Sequence, residues 1–187
     1  MCIRDSNSID IQYIEKNFSY PFVVKPSSEG SSIGVFIVDS KEDYYAAVEK
    51  NHEISEDFII EEYIDGKEYT VGILNDVVLP SIMLEPPGQF YDYDAKYNSS
   101  EMKYMCPSRL EEKIEKKIQQ ISLDCFNTLE CNGWGRVDII IDKDNTPWII
   151  EINTVPGMTS HSNVPKSGSF LGLTYNEVVQ KIIDASL

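Results

Sequence analysis

The chain has 187 residues, enough for one ordinary domain or two small ones with cores of their own. Its 31 acidic against 16 basic residues give a formal charge of −15, which argues against nucleic acid or an anionic membrane as partner. Cys2, Cys106, Cys125 and Cys131 form no CxxC pair and no zinc-ligand spacing, and histidine occurs only at 52 and 161, so the simpler reading is free thiols in a reducing cytoplasm.

In chain order, the opening "MCIRDSNS" shows no periodicity, is compatible with a translation scar and contributes nothing to the expected fold; residues 1–20 lack the basic and apolar blocks of a signal peptide. "PFVVKP" reads as a short buried strand ending in Lys25, followed by the Ser/Gly-rich "SSEGSSIG" and a second strand, "GVFIVDS". Ser40 and Asp43 open a helix over "SKEDYYAAVEKN". "EDFIIEEYI" is a third strand, and the turn at Asp65–Gly66 marks a boundary. "EYTVGIL" and "VVLPSIML" flank an Asn75–Asp76 turn and predict a hairpin. Residues 85–108 show neither period, which suits a lid, a binding loop or disorder. Ser108 with Glu111 predicts a helix start, with an apolar stripe of Ile114, Ile118, Ile121, Cys125 and Leu129. After residue 153, "TVPGMTSHSNVPKSGSF" is an irregular loop, and Thr174 with Glu177 opens a last helix. No apolar run approaches a membrane span. The pattern is α+β with prominent antiparallel hairpins, divided into lobes 1–64 and 65–187.

"GRVDIIIDKDNTPWIIEIN", residues 135–153, holds two apolar runs about a polar turn. A two-residue loop at Asp144–Asn145 would set Lys143 opposite Thr146, Asp138 opposite Glu151 and Arg136 opposite Asn153. Alternation then gathers Arg136, Asp138, Glu151 and Asn153 on one face and assigns Val137, Ile139, Ile141, Trp148, Ile150 and Ile152 to the core. Facing carboxylates repel, and a hard divalent cation such as Mg²⁺ would neutralise them, with Asn153 adding a neutral oxygen. A solvated polar face with Arg136 paired to Asp138 accounts for the hairpin equally well.

Three further stretches carry chemistry with an ordinary alternative beside it. Lys25 before the Ser/Gly stretch suits phosphate, with backbone N–H groups as a cradle; the order is the reverse of a Walker A motif, and in isolation a surface turn with a snorkelling lysine is the favoured reading. A local cluster can hold phosphate despite the acidic total. "IIEEYIDGKEY" suits an adenine-binding linker with a carboxylate for ribose, or a plain edge strand. "FYDYDAKY" places Tyr91, Tyr93, Lys96 and Tyr97 in the long loop, to close over a ligand or to pin the loop. His161 reads as a surface residue.

In order and at ordinary spacing, "VVKPSSEGSSIGV", "EEYIDGKEYTV", "LPSI", "FYDYDAKY", "GWGRVDIIID" and "EINTVPGMTSHS" resemble the D-alanine–D-alanine ligases of the ATP-grasp superfamily, over residues 20–187. That resemblance implies an ATP-grasp fold, with residues 1–64 part of the central lobe and 65–187 the carboxy-terminal lobe. It implies a cytoplasmic enzyme of peptidoglycan precursor synthesis that phosphorylates one D-alanine with ATP and joins it to a second. Asp138, Glu151 and Asn153 fall at the ligand positions of two Mg²⁺ ions, or Mn²⁺ in their place. Arg136, Ser31 and Ser162 fall at catalytic positions. Lys25, Ser32 and Lys96 match phosphate-side residues; Glu61, Glu62, Tyr63 and Ile64 match the adenine linker, and Glu68 the ribose contact. Tyr97, Gly157 and Ser162 match substrate positions. A homodimer of the full-length protein is compatible with the resemblance. The family's amino-terminal domain and an early ATP-contacting lysine have no counterpart, and Asn163 stands where relatives often have leucine. The expectation is a ligase fragment, with a D-alanine–D-lactate or D-serine ligase, or an ATP-binding module without ligase activity, as alternatives.

Overall fold

The structure, a computed structural model, describes residues 2–5, 10–30, 32–55, 57–75, 77–85 and 103–185, with the side chains of 2–5 and Lys103 left aside. The described residues form a mixed α+β fold with two antiparallel sheets, divided between a unit ending at Ile64 and a unit of Asp65–Glu85 with the chain from Lys103 onward.

The first unit contains β1 (Cys2–Asp5), α1 (Ile11–Asn17), β2 (Phe22–Pro26), β3 (Phe36–Val38), α2 (Lys41–His52) and β4 (Phe58–Glu62), with sheet order β1-β4-β2-β3. Alternation does most of the sorting: Phe22, Val24, Phe58 and Ile60 are buried on one face, and Ile11, Ile14 and Phe18, with Tyr44, Ala47 and Val48, cover it. Lys25 and Glu61 therefore belong to the opposite face. The Ser40 hydroxyl caps α2 by accepting from the Asp43 N–H at 3.1 Å.

The residues before β2 hold two elements to which the sequence assigned nothing. The segment without periodicity supplies β1, which pairs with β4 from Cys2 opposite Glu61 to Asp5 opposite Phe58. Four residues are too few to display a period, and ladder bonds do not depend on side-chain type. The helix α1 also lay outside the sequence reading, although Asp10 accepts from Gln12 N–H at 3.0 Å as its cap and Ile11 and Ile14 are buried at helical spacing.

The second unit contains β5 (Gly66–Leu74), β6 (Val77–Val78), β7 (Ile82–Glu85), β8 (Lys103–Met105), α3 (Glu112–Thr128), β9 (Trp134–Asp142), β10 (Pro147–Asn153), α4 (Asn163–Phe170) and α5 (Tyr175–Ala185). Its sheet runs β10-β9-β5-β7-β8, with β6 also on β5. Tyr69, Val71, Ile73, Met83, Val137, Ile139 and Ile141 form a core with Ile118 and Phe126 of α3. A Cβ on Gly135 would lie 2.7 Å from the Phe126 ring, so the absence of a side chain there lets the ring seat against the strand. Leu74, Leu79, Val164 and Val178 make a smaller cluster under α4 and α5. No helix among the described residues is long and apolar enough to cross a membrane.

The expected β5 hairpin forms in two pieces. Val77–Val78 pairs with Ile73–Leu74, the strand is interrupted over 79–81, where Pro80 lacks a backbone donor, and Ile82–Leu84 pairs with Glu68–Thr70. Ser108 does not cap α3; Glu111 is the N-cap, and the Ser108 hydroxyl joins Ser81 and Glu115 in a buried network. The helix buries Ile118, Ser122 and Phe126, whereas Leu129, assigned to the stripe, is 63% exposed past the helix end. The loop predicted at 154–170 contains α4, which the sequence reading missed because Ser, Gly and Pro mask its pattern; Pro165 falls in the first turn, where its missing N–H costs nothing.

Candidate active site

The hairpin β9–β10 brings the acidic residues together by a different route from the one expected. Lys143, Asp144 and Asn145 form a three-residue loop rather than a two-residue one. Asp142 and Thr146 close it through the Asp142 N–H to Thr146 C=O bond at 3.1 Å, and Asn145 takes the left-handed φ of 59°. The Asp142 carboxylate accepts from Asp144 N–H at 2.9 Å, Thr146 N–H at 2.8 Å and the Trp148 indole at 2.9 Å, which hold its pKa below the ordinary value, the Trp148 bond foremost. Near the loop, Trp148 consequently pairs with Ile140 and Ile149 with Ile139. A bulge between Ile149 and Glu151 then restores the outer register, with Glu151 opposite Asp138 and Asn153 opposite Arg136.

This geometry corrects the core assignment of Trp148. Opposite Ile140 it shares the face of Asp138, and it is 44% exposed with its N–H on Asp142. Ile149 occupies the position opposite Ile139 and is 40% exposed, because β10 is the edge strand.

On the polar face, Arg136 grips Asp138 with two nitrogens: Nε donates to Oδ1 at 2.9 Å, and Nη2 donates to Oδ2 at 2.7 Å. Thr70, opposite Asp138 on β5, adds a donated bond to Oδ1 at 2.7 Å. Asp138 is 5% exposed, so these donors compensate a carboxylate largely withdrawn from water. Glu151 lies 4.0 Å from Arg136 Nη2, with its side chain 48% exposed. Asn153 Oδ1 accepts from Val155 N–H at 3.2 Å. Thr70 was missed in the sequence, although its even spacing from Glu68 and the length of β5 put it on a definite face.

Among the described residues, no group of three or more His, Cys, Asp or Glu side chains is placed to hold a metal. The donor set of Asp138, Glu151 and the Asn153 amide is all hard oxygen; Asp138 Oδ1 already accepts from Arg136 Nε and Thr70, so the lone pairs open to a cation are chiefly those of Asp138 Oδ2 and the Glu151 carboxylate. The set fits a Mg²⁺-type ion in chemistry, with water and ligand oxygens completing its coordination.

Of the remaining site residues, Lys25 and Glu61 are brought together within the first unit, with Nζ 2.6 Å from the carboxylate. Ser32 stands in the turn after β2 with φ 61°, followed by Gly34 at φ 71°. Glu62 ends β4, Tyr63 and Ile64 follow it, and Glu68 lies in β5 opposite Ile140 and Leu84. Gly157 and Ser162 are neighbours in the loop before α4: the Ser162 hydroxyl accepts from Thr159 N–H at 2.9 Å, and a Cβ on Gly157 would lie 3.4 Å from it. Exposed His161 makes a backbone bond to Thr159 Oγ1 at 3.3 Å. Ser31, Lys96 and Tyr97 lie outside the described residues, as do Tyr91 and Tyr93.

Residues 3–184 match the family profile described as "D-ala D-ala ligase C-terminus". The chain belongs to the D-alanine–D-alanine ligase family. Among solved structures, a D-alanine–D-alanine ligase from Bacillus anthracis is 34% identical with a TM-score of 0.86, over 100% of this chain and 61% of that one. The same organism's ligase complexed with ATP is 29% identical, with a TM-score of 0.83, over 100% of this chain and 58% of that one. The VanG D-Ala:D-Ser ligase from Enterococcus faecalis is 32% identical, with a TM-score of 0.85, over 95% of this chain and 52% of that one. This family member thus spans between half and two thirds of the length of these relatives.

Proposed function

We propose that this chain is the nucleotide-binding portion of a cytoplasmic ATP-dependent ligase that joins two D-alanine molecules through an acyl phosphate, serving peptidoglycan precursor synthesis. The observation that carries the reading is the pairing of Glu151 with Asp138 and Asn153 with Arg136 on one face, in a chain of this family. ATP enters on the relative that carries it.

Asp138, Glu151 and Asn153 are the residues that would hold two Mg²⁺ or Mn²⁺ ions, which supply charge compensation for the nucleotide phosphates. Asp138, itself fixed by the Thr70 hydroxyl, holds Arg136 in place, the preorganisation a cation needs to stabilise negative charge as it develops on the reacting carboxyl group. Lys25, with Lys96, neutralises phosphate; Glu61 keeps the Lys25 ammonium oriented until nucleotide competes for it. The turn carrying Ser32 offers backbone N–H groups to phosphate oxygens, and Ser31 serves in catalysis. Glu62, Tyr63 and Ile64 face adenine and Glu68 the ribose, while Tyr97, Gly157 and Ser162 contact the amino-acid substrates. Residues 1–64 serve as part of the central ATP-grasp lobe and 65–187 as the carboxy-terminal lobe, the full-length protein acting as a homodimer.

A D-alanine–D-serine ligase is the second reading, favoured by the 32% identical relative of that description. Calorimetry with ATP tests the nucleotide site: binding in Mg²⁺ that disappears with chelator is expected, and no binding in either condition would sink the reading of this chain. Competing D-alanine, D-serine and D-lactate as acceptors on the full-length protein then separates the two ligase readings; release of ADP only with D-alanine supports the first.

A further inference from the structure

We propose that Asn51 is a positioning residue for the turn after β2, storing in the unliganded protein a hydrogen-bonding deficit that nucleotide binding relieves. The proposal rests on the reading of that turn as phosphate-binding. Asn51 sits in the last turn of α2 and is 0% exposed, and among the described residues neither its Nδ2 nor its Oδ1 has a hydrogen-bond partner. A buried carboxamide left unpaired costs the desolvation of both groups, whereas leucine has the same branching and heavy-atom count, with bulkier methyl groups and no such cost.

The amide is in direct reach of the turn. A Cβ on Gly34 would stand 2.6 Å from Asn51 Oδ1 and 2.7 Å from Pro26 Cγ, so the Gly34 backbone lies directly against the carboxamide. Around it, Ile33 N–H donates to Gly30 C=O at 3.1 Å and Val35 N–H donates to Ser32 C=O at 3.4 Å. Ser32 and Gly34 have φ of 61° and 71°, so the peptides of this turn do not all point the same way. A phosphate drawing the N–H groups of the turn toward itself rotates these peptides, and a small rotation at Gly34 presents its N–H or C=O to Asn51. The amide gains on binding what it lacks beforehand. A ligand shifts such an equilibrium only through a difference in interaction between the two states, and Asn51 supplies one.

The test compares wild type with Asn51→Leu, using thermal unfolding without nucleotide and calorimetry with MgATP. The expected result is a pair of opposite signs: the melting temperature of the unliganded variant rises, and its MgATP dissociation constant increases roughly tenfold. A fall in the unliganded melting temperature would overturn the proposal, because the amide would then already be satisfied, for instance by trapped water. A rise with unchanged affinity would overturn it too, since burial and binding would be uncoupled. Asn51→Ala, which cannot overpack, carries the affinity measurement if leucine prevents folding, and the same weakening is expected. Failure of wild type to bind MgATP would remove the phosphate reading and this inference with it; equal binding by wild type and variants removes the inference alone.

Discussion

Glu151 and Asp138 face each other across two strands, yet their surroundings differ: Asp138 is buried against Arg136 and Thr70, whereas half of the Glu151 side chain is exposed and, among the described residues, its nearest cation is Arg136 at 4.0 Å. Asp138 is therefore bound into the structure, and Glu151 is held by little. Glu151→Gln is expected to leave stability within about 0.5 kcal/mol of wild type, as for other exposed substitutions, while abolishing Mg²⁺-dependent ATP binding. Unfolding curves and calorimetry on one preparation check both halves, and retained nucleotide affinity would end the metal assignment. The sequence disclosed the identities of these residues and their common face, because strand alternation needs only spacing. It did not disclose Thr70, whose role depends on β5 lying beside β9, 68 residues away in the chain.

At the scale of elements, the hairpin shows how a correct pairing can follow from an incorrect turn. The loop is one residue longer than the sequence suggested, and the bulge near Ile150 adds one residue to β10, so the two departures cancel beyond Ile149. Between them lies the stretch where they do not cancel, and there Trp148 changes face. Helix starts were more legible where the cap is local. Thr174 and Glu177 exchange bonds as a capping box, with Thr174 N–H donating to Glu177 Oε2 at 2.7 Å and Glu177 N–H to Thr174 Oγ1 at 3.3 Å. The Thr174 N–H bond, with the hydroxyl bond after it, depresses the Glu177 carboxyl below its ordinary 4.5. A depressed folded-state value means stabilisation that is present above the unfolded value and lost as pH falls through the folded one. Amide exchange at the start of α5 is thus expected to speed up on acidification below about pH 4.5, and Glu177→Gln should flatten that dependence. Exchange rates independent of pH in wild type, after correction for intrinsic chemistry, would contradict the cap. Ser108, with an acidic residue at the same spacing, was misread because tertiary partners outcompeted the local bond: its hydroxyl meets Ser81 and Glu115 instead.

For the molecule as a whole, the formal charge of −15 implies self-repulsion in the folded state that added salt screens. The melting temperature is expected to rise as NaCl increases from about 10 mM to 150 mM, where the Debye length shrinks from roughly 30 to 8 Å. A series in dye-monitored unfolding checks this; a falling melting temperature would mean that specific ion pairs, such as Lys25–Glu61, outweigh the net repulsion. The sequence by itself determined the α+β class, most strands, the polar face of the β9–β10 hairpin and the family, all of which depend on short-range spacing or on strings read in order. Tertiary structure alone decided the pairing of β1 with β4, the face of Trp148, the Thr70 contact to Asp138 and the burial of Asn51 beneath Gly34. The β1–β4, Thr70–Asp138 and Asn51–Gly34 contacts join residues whose separation in sequence carries no period, so packing selected them, and the face of Trp148 followed from one loop length and one bulge that side-chain spacing does not reveal.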